Sequence, residues 1–358
     1  MSSPAGATPA GPAWRGTTEP LLQLHDVLLL DLDGVVYIGD EPVPRAPQAL
    51  AMARSAGVRL AFVTNNASRT AAAVAEHLSR IGVAAAAADV VTSAQAASTM
   101  LAAMLAPGAR VLVVGGNGLV EAVAAVALTP VTSADDDPAA VVQGFAPQVD
   151  WAMLVEACVA VRAGLPWVAT NGDLTLPTPR GLAPGNGAFV DVVRRTTGVD
   201  PVVTGKPFRP IMDEALQRTG ASRALVVGDR LDTDIAGAAA AGLPSLLVLT
   251  GIHRVRALLA APPASRPTYL GVDLDDLNRV QPDCTAVDSG WRCGRALAVA
   301  RAGRVEVLLD GASDGTPHEA LQAVRAVCSL VWAGEGAIDT DLAAAGLSDW
   351  TAPHGWDR

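Results

Sequence analysis

The sequence changes abruptly from apolar to acidic within residues 27–34, which read VLLLDLDG. A short apolar run without alternating polar residues is typical of a strand that is buried on both faces of a sheet. Three later runs, at residues 60–63, 224–227 and 246–249, end in the same way at polar or acidic residues. Each of these four segments is therefore predicted to be a buried strand.

Alanine-rich segments with helical spacing follow these strands, for example at residues 69–80 and 234–241. Strands that alternate with helices predict a parallel sheet with helices on both faces, so we expect an α/β fold with a Rossmann-like, doubly wound sheet. Ligands of such sheets bind beyond the carboxyl ends of the strands. The polar residues that end the strands are thus the first candidates for a functional site.

A second α/β pattern interrupts the first, because Thr204-Gly205-Lys206-Pro207 resumes the original pattern. After residue 268 the pattern changes again. There, residues 296–300 and 305–309 predict a hairpin, and Thr316 is expected to cap a helix over residues 317–331. The predicted segments are a disordered tail at 1–22, core at 23–106, an inserted α/β domain at 107–202, core at 203–268 and a small C-terminal α+β domain at 269–358.

The composition excludes some classes of protein. With 358 residues, a formal net charge of −10 and a pI near 4.9, the chain is not a typical nucleic-acid binder, since that activity depends on clustered Lys and Arg. No apolar run is long enough to cross a bilayer, the first 22 residues do not have the pattern of a signal peptide, and the four cysteines form no C-x-x-C pair. We therefore expect a soluble, cytoplasmic protein that binds neither nucleic acid nor membrane.

Asp31 and Asp33 are two carboxylates separated by one residue, just past a buried strand, and they can converge on one pocket. Phosphate monoesters hydrolyse extremely slowly in water, and a carboxylate nucleophile lowers that barrier by forming an aspartyl-phosphate. Asp31 would be this nucleophile. Asp33 would protonate the leaving alcohol and later activate water. Taken alone, this D-x-D pattern is equally typical of an acidic turn at the end of a strand.

Three further segments favour the catalytic interpretation. Thr64-Asn65-Asn66 offers a hydroxyl and amides to phosphate oxygens, and Lys206 supplies a positive charge for the transferring phosphoryl group. Residues 228–234, GDRLDTD, end a later strand with three acidic residues. Asp31 and Asp229 are hard oxygen donors of the kind that Mg²⁺ prefers. Asp234 is expected either to cap a helix or to contact the metal through water.

These segments resemble the four motifs of the haloacid dehalogenase-like phosphatases. DLDGVVYIG, TNN, GKP and GDRLDTDI are similar to those of its NagD-like subfamily (class IIA cap), over about residues 25–255. The resemblance implies that the inserted domain is a cap that closes over the substrate. It also implies Asp31 as nucleophile and Asp33 as acid and base. The implied Mg²⁺ ligands are Asp31, the Asp33 carbonyl and Asp229, and the implied phosphate contacts are Thr64, Asn65 and Lys206.

The cap determines which phosphate ester is bound. Residues 170–177 and 184–187 resemble the substrate-facing cap loop of the subfamily, which makes Asn171 and Asp173 candidate substrate contacts. Arg180 is either a further contact or a solvated surface arginine. Leu176 stands where pyridoxal phosphatases carry a histidine, which disfavours pyridoxal phosphate.

The layout is similar to that of actinobacterial glycerol-3-phosphate phosphatases, so glycerol 3-phosphate is the expected substrate. The alternatives are the same chemistry on pyridoxal phosphate, phosphoglycolate, a nucleotide or a sugar phosphate, and a non-catalytic sensor of a phosphometabolite. Caps of this subfamily can form dimer contacts, so the resemblance allows a homodimer.

Overall fold

The structure is a computed structural model that describes residues 14–178, 180–288, 290–301, 304–334 and 338–357. Its first part builds half of a parallel sheet. The strands are β1 (Val27–Leu30), β2 (Tyr37–Ile38), β3 (Glu41–Pro42), β4 (Arg59–Thr64) and β5 (Val90–Thr92). The helices are α1 (Leu21–Leu24), α2 (Ala46–Ser55), α3 (Ala71–Arg80) and α4 (Ser93–Met104). β1 is fully buried, with Leu28 and Leu30 packed on one face of the sheet and Val27 and Leu29 on the other.

The inserted domain has a sheet of its own. Its strands are β6 (Arg110–Val114), β7 (Thr129–Val131), β8 (Ala140–Gln143), β9 (Trp167–Ala169), β10 (Thr175–Thr178), β11 (Gly181–Pro184) and β12 (Val202–Val203). Its helices are α5 (Asn117–Ala125), α6 (Trp151–Arg162) and α7 (Asn186–Thr197). Five strands form a parallel sheet in the order β12-β9-β8-β6-β7, while β10 and β11 form a separate antiparallel hairpin.

The chain then returns to the first sheet. It adds the strands β13 (Ala224–Gly228), β14 (Ser245–Val248) and β15 (Tyr269–Gly271), and the helices α8 (Arg209–Thr219), α9 (Ala236–Ala241) and α10 (Val255–Leu259). The completed core sheet has six parallel strands in the order β15-β14-β13-β1-β4-β5. The predicted α/β fold class, a doubly wound parallel sheet with an inserted α/β domain, is thereby confirmed.

The C-terminal part forms a small α+β domain. Its antiparallel sheet contains β16 (Cys284–Val287), β17 (Gly290–Cys293), β18 (Ala296–Arg301) and β19 (Arg304–Leu309), and its helices are α11 (Pro317–Ala333) and α12 (Thr340–Thr351). The predicted hairpin is β18–β19. The predicted helix is α11, whose N-cap Thr316 accepts a hydrogen bond from Glu319 N at 3.2 Å. Among the described helices, none combines the length and the apolar character needed to cross a lipid bilayer.

Two predicted boundaries are wrong. β15 belongs to the core sheet, since Tyr269 pairs with Leu246 of β14, and the core therefore extends past residue 268. Residues 14–22 are ordered: Trp14 is 2% exposed and packs on Trp332 with ring centroids 5.1 Å apart. Apolar contact with the C-terminal domain orders this segment, although its Pro- and Gly-rich composition suggests a tail. Residues 1–13 of that predicted tail lie outside the described residues.

Candidate active site

The carboxyl ends of β1, β4 and β13 meet at one edge of the core sheet, because these strands are parallel neighbours. Asp31 directly follows β1, Thr64 ends β4, and Asp229 directly follows β13. Lys206 precedes α8, the first core helix after the inserted domain. Four segments that are distant in sequence thereby contribute to one site.

Lys206 is the positive centre of this site. Its side chain is 4% exposed, and its Nζ donates hydrogen bonds to Asp31 Oδ1, to Asp234 Oδ1 at 2.7 Å and to the carbonyl of Val63 at 3.1 Å. Burial alone would lower the pKa of Lys206, but Asp234 and Asp31 raise it above the ordinary value of a lysine. The amine therefore stays protonated and stabilises the charged form of both carboxylates.

Three carboxylates crowd around that amine. Asp31, Asp229 and Asp234 each place an oxygen within 4.8 Å of the others. Burial, together with repulsion from the neighbouring carboxylates, raises the pKa of Asp229 to about 8 and that of Asp234 to about 6. Burial also raises the pKa of Asp31, against the opposing charge of Lys206. One ammonium group does not neutralise three clustered carboxylates, two of them fully buried, so the cluster favours a further cation.

A divalent cation fits this cluster. Asp229 Oδ1 is buried and has no hydrogen-bond partner among the described residues, while Asp229 Oδ2 accepts from Ile252 N at 2.6 Å. The free oxygen is a hard donor of the kind that Mg²⁺ prefers. Asp31 and Asp229 can therefore hold such an ion directly. Asp234 is less available, because Lys206 and the Arg230 backbone N (3.1 Å) already donate to its two oxygens.

Two glycines leave space for the Asp229 carboxylate. A Cβ atom at Gly34 would lie 2.6 Å from Asp229 Oδ2, and one at Gly251 would overlap the same carboxylate. Gly34 also has a φ of +86°, in the left-handed region that favours glycine. Glycine at position 34 of the D-x-D-G motif is therefore favoured both by the lack of space for a side chain and by the backbone conformation.

Asp33 lies beside the cluster and is exposed. Neighbouring protein atoms partly desolvate its carboxyl group, and this raises the pKa of Asp33. The positive charges of Lys206 and Arg69 oppose this shift. A raised pKa suits a group that must carry a proton before it donates one. The turn after Asp33 is fixed by a hydrogen bond from Gly34 N to the carbonyl of Tyr37 at 2.8 Å.

The Thr64-Asn65-Asn66 segment forms a structured loop. Asn65 Oδ1 accepts from Lys206 N at 2.7 Å, and Asn65 Nδ2 donates to the carbonyl of Lys206 and to Asp173 Oδ2, both at 3.0 Å. Thr64 Oγ1 accepts from Asn66 N at 3.1 Å, and Asn66 Oδ1 accepts from Ser68 N at 2.9 Å. The Asn65 side chain therefore positions the lysine segment, a role that the sequence alone did not indicate.

The cap touches the core at this loop. Asn171 Nδ2 donates to the carbonyl of Asn65 at 2.7 Å, and Asp173 Oδ1 pairs with Arg230 Nη1 at 3.5 Å. The structure therefore brings Asn171 and Asp173 to the seam between core and cap, next to the carboxylate cluster. Both residues make contacts that hold the cap against the core.

Arg180 lies apart from these residues. It is exposed in the turn between β10 and β11, and within the part of the chain that the structure describes its side chain forms no hydrogen bond or ion pair. Of the predicted site residues it is the one that the structure does not bring to the others.

Arg230 is a site residue that the sequence analysis did not single out. Its guanidinium pairs with Asp232, with Nη2 and Oδ2 2.7 Å apart, and reaches Asp173 of the cap. Burial would lower its pKa, but the Asp232 carboxylate raises it, so the side chain is a permanent positive charge at the seam. Arg230 stands between the two acidic residues of GDRLD, and this position in the sequence could have indicated a charged residue of the site.

Two family models match the chain. One, described as a haloacid dehalogenase-like hydrolase, matches residues 28–129, and one described as HAD-hydrolase-like matches residues 203–277. A D-glycerol 3-phosphate phosphatase of Mycobacterium tuberculosis is 50% identical over 321 residues, which cover 88% of each of the two chains. The chain belongs to the haloacid dehalogenase-like hydrolases. The predicted family is confirmed.

Two further relatives of this hydrolase are also phosphatases by name. An acid sugar phosphatase of Staphylococcus saprophyticus is 37% identical over 255 residues, which are 71% of this chain and 96% of the relative. A crystal structure of glycerol phosphate phosphatase from M. tuberculosis in complex with magnesium has a TM-score of 0.81 at 46% identity, covering 94% of this chain and 99% of that one. Because these relatives are named phosphatases, the predicted enzyme class is confirmed.

Proposed function

We propose that this hydrolase is a magnesium-dependent phosphatase that hydrolyses D-glycerol 3-phosphate to glycerol and phosphate. The observation that supports it most directly is the contact of Lys206 with Asp31, inside a cluster of three carboxylates at the carboxyl end of the sheet. A carboxylate nucleophile that is held by a buried ammonium group suits attack on an anionic phosphate.

In the first step, an Asp31 oxygen attacks phosphorus, an oxygen–phosphorus bond forms and the ester bond to the alcohol breaks. The raised pKa of Asp33 lets it carry the proton that the departing alkoxide takes. In the second step, Asp33 takes a proton from water, which attacks the aspartyl-phosphate and releases phosphate. Asp31 is thereby returned to its starting form.

Lys206 acts in both steps, because its charge lies against the oxygen of the nucleophile. Thr64, Asn65 and Asn66 form the loop next to it, and we assign the phosphate oxygens to this loop and to Lys206. This loop is anchored to Lys206 through Asn65, so the phosphate site and the nucleophile are held in one rigid unit.

Mg²⁺ supplies the remaining positive charge. We assign Asp31, the Asp33 carbonyl and Asp229 as its protein ligands, and Asp234 as a water-mediated contact. The buried, unpartnered Asp229 Oδ1 supports the direct role of Asp229. The two hydrogen bonds that Asp234 already accepts support its indirect role.

The substrate assignment rests on the relatives and on the cap. The D-glycerol 3-phosphate phosphatase aligns with 88% of this chain, and the acid sugar phosphatase aligns with 71% at lower identity. The contacts of Asn171 and Asp173 with the core lie beside the site and support a cap that leaves room for a small ester. A sugar phosphate is the second candidate, because the second relative acts on that class by name.

Phosphate release from a panel of esters tests this assignment. The panel contains glycerol 3-phosphate, a sugar phosphate, pyridoxal phosphate, phosphoglycolate and UMP, with and without Mg²⁺. We expect glycerol 3-phosphate to have the highest kcat/KM and the Asp31→Asn variant to lose at least about 10³-fold in kcat while keeping its circular dichroism spectrum. Near-normal turnover by Asp31→Asn would remove the nucleophile assignment, and binding without turnover by the wild type would favour a sensor.

Two further assignments concern the cellular form of the enzyme. We propose a homodimer through the cap, in which the exposed apolar side chains Trp151 and Leu182, at 78% and 75% exposure, are the first candidates for the contact. A cytoplasmic location is supported by the four cysteines, which are all free thiols. Sedimentation of wild type and Trp151→Ser tests the dimer, which the substitution should weaken; a monomeric wild type would contradict it.

A further inference from the structure

A cavity separate from the catalytic site lies where the core meets the C-terminal domain. It has a volume of about 380 Å³, and its walls come from residues 276–282, just after β15, and from α11. None of the catalytic or metal-binding candidates lines it. The volume falls within the range of about 300–1,000 Å³ that is typical of sites for small molecules.

A buried arginine forms the floor of this cavity. Arg325 is 5% exposed, and its Nη2 donates to Gln281 Oε1 at 2.8 Å and to the carbonyl of Leu270. No acceptor among the described residues binds its Nε or Nη1. A guanidinium remains charged at all physiological pH values, so this group brings a permanent charge and unused donors to the cavity.

The carboxylate in the wall already has partners of its own. Asp276 is 2% exposed, and its Oδ2 accepts from Val272 N at 2.6 Å. Its Oδ1 is 2.9 Å from His318 Nε2 and 3.5 Å from Arg279 Nε. Both oxygens of Asp276 thus already have partners on the wall.

Gln322 in the wall also offers a donor. Gln322 Oε1 accepts from Arg295 N at 2.8 Å, which leaves its amide nitrogen without a partner among the described residues. Arg279, whose side chain is 53% exposed, adds a second guanidinium at the rim. The wall therefore presents hydrogen-bond donors and positive charge, in a protein whose net charge is −10.

We propose that this cavity binds a small metabolite through an oxyanion, a phosphate or carboxylate group, held by Arg325, Gln322 and Arg279. Val280 and Pro282 form the apolar part of the wall and would contact the carbon portion of the ligand. Charge-assisted hydrogen bonds to a planar guanidinium fit both kinds of group. Because the core and the C-terminal domain share the wall, the ligand would bridge them.

Thermal unfolding with added anions tests the site. Inorganic phosphate and malonate are titrated separately at constant ionic strength, in EDTA, against the wild type and three variants. Gln322→Glu keeps an acceptor for Arg295 N but turns the free donor into a carboxylate, and Arg279→Gln removes the exposed guanidinium. Arg304→Gln is the control, because it also lowers the net charge by one but lies on β19, outside the cavity wall.

We expect phosphate, malonate or both to raise the Tm of the wild type and of Arg304→Gln. Gln322→Glu should weaken the apparent affinity by about tenfold or more, and Arg279→Gln should weaken it severalfold. Comparison with the control isolates the cavity, since all variants keep the catalytic site. The more effective anion identifies the chemical class of the ligand.

Two results would overturn the proposal. One is an equal response of all three variants, which would place the anion outside this cavity. The other is the absence of any Tm shift with both anions. Arg279→Gln decides the question if Gln322→Glu does not fold, because Arg279 is exposed and Asp276 keeps its contacts with Val272 N and His318.

Discussion

Lys206 links the chemistry of the nucleophile to the stability of the site. Its amine is the one buried positive group that the structure places between Asp31 and Asp234. Removal of one partner from a buried ion pair is more costly than replacement of both, because the remaining charge has lost its counter-charge. Activity and stability should therefore respond together to a change at this residue.

Lys206→Met tests this coupling, since methionine keeps most of the volume but has no charge. We expect kcat to fall by about 10²-fold or more and the free energy of unfolding to fall by about 3 kcal/mol. Phosphate release and urea unfolding measure the two effects. Arg209→Met, which removes an exposed positive charge paired with Asp213, serves as the control and should change neither value much. Full activity in Lys206→Met would contradict its role.

The raised pKa of Asp229 predicts that the stability of the metal-free protein depends on pH. Its pKa in the folded state, about 8, lies above the ordinary value of 3.8, so the folded state binds the proton more tightly than the unfolded state does. Stability from this group is complete below about pH 4 and is lost as the pH rises through about 8. In EDTA the wild type should therefore lose Tm between pH 5 and 8 more steeply than Asp229→Asn. Parallel Tm curves for the two proteins would show that Asp229 does not titrate in this way.

Side-chain roles at this scale were only partly accessible from sequence. Asp31, Thr64 and Asp229 could be predicted as a set, because each one lies at the end of a core strand, where parallel sheets bind ligands. Lys206 precedes α8 and was predicted from the GKP motif instead. The hydrogen bond of Asn65 to Asp173 and the ion pair of Arg230 with Asp173 could not be predicted, since both depend on how the cap docks on the core. Such contacts join residues that are distant in sequence, and no local sequence pattern indicates them.

At the scale of elements, the loop after β14 is packed against the metal site. Gly251 lies in this loop, and a Cβ atom there would overlap the Asp229 carboxylate. Gly251→Ala must therefore displace either the loop or Asp229. We expect the Mg²⁺ concentration for half-maximal activity to rise about tenfold or more, while Tm changes little.

A second glycine supplies the control for this prediction. A Cβ atom at Gly172 would meet nothing within 4 Å, so Gly172→Ala adds a methyl group without a clash. Its metal activation curve should match that of the wild type. The same curve for Gly251→Ala would mean that the loop moves freely and does not position Asp229.

Whole elements were predictable where an apolar run or a cap residue marks them. β1, β4, β13 and α11 have such signals, and the structure contains all four. β15 has only the residues Tyr269-Leu270-Gly271 and is a strand because β14 offers it an edge. A strand of that length is defined by its neighbour and leaves no periodic pattern.

At the scale of the whole molecule, the N-terminal segment joins the core to the C-terminal domain. Trp14 Nε1 donates to the carbonyl of Arg325 at 3.1 Å, and Thr17 N donates to the carbonyl of Gln281 at 2.9 Å. Trp14 also belongs to an apolar cluster that includes Leu258 of the core. Residues 14–17 therefore contact both the core and the C-terminal domain.

Trp14→Ala should lower the free energy of unfolding by about 3–5 kcal/mol, because it leaves a large cavity beside Trp332. Met52→Ala is the matched control, since this apolar side chain on α2 is 51% exposed and its removal should cost little. Urea denaturation followed by circular dichroism compares the two. Equal midpoints for both variants would show that the N-terminal segment is not part of the folded unit.

Lys206 has one more consequence, because it is the only lysine in the sequence. Protein produced with lysine that is ¹⁵N-labelled at the side chain would show a single ammonium signal by NMR, and that signal would arise against the nucleophile. Its frequency would follow the arrival of metal or phosphate at the site, without a dye or a second substitution. The same residue that neutralises the carboxylates thus makes the enzyme its own spectroscopic reporter.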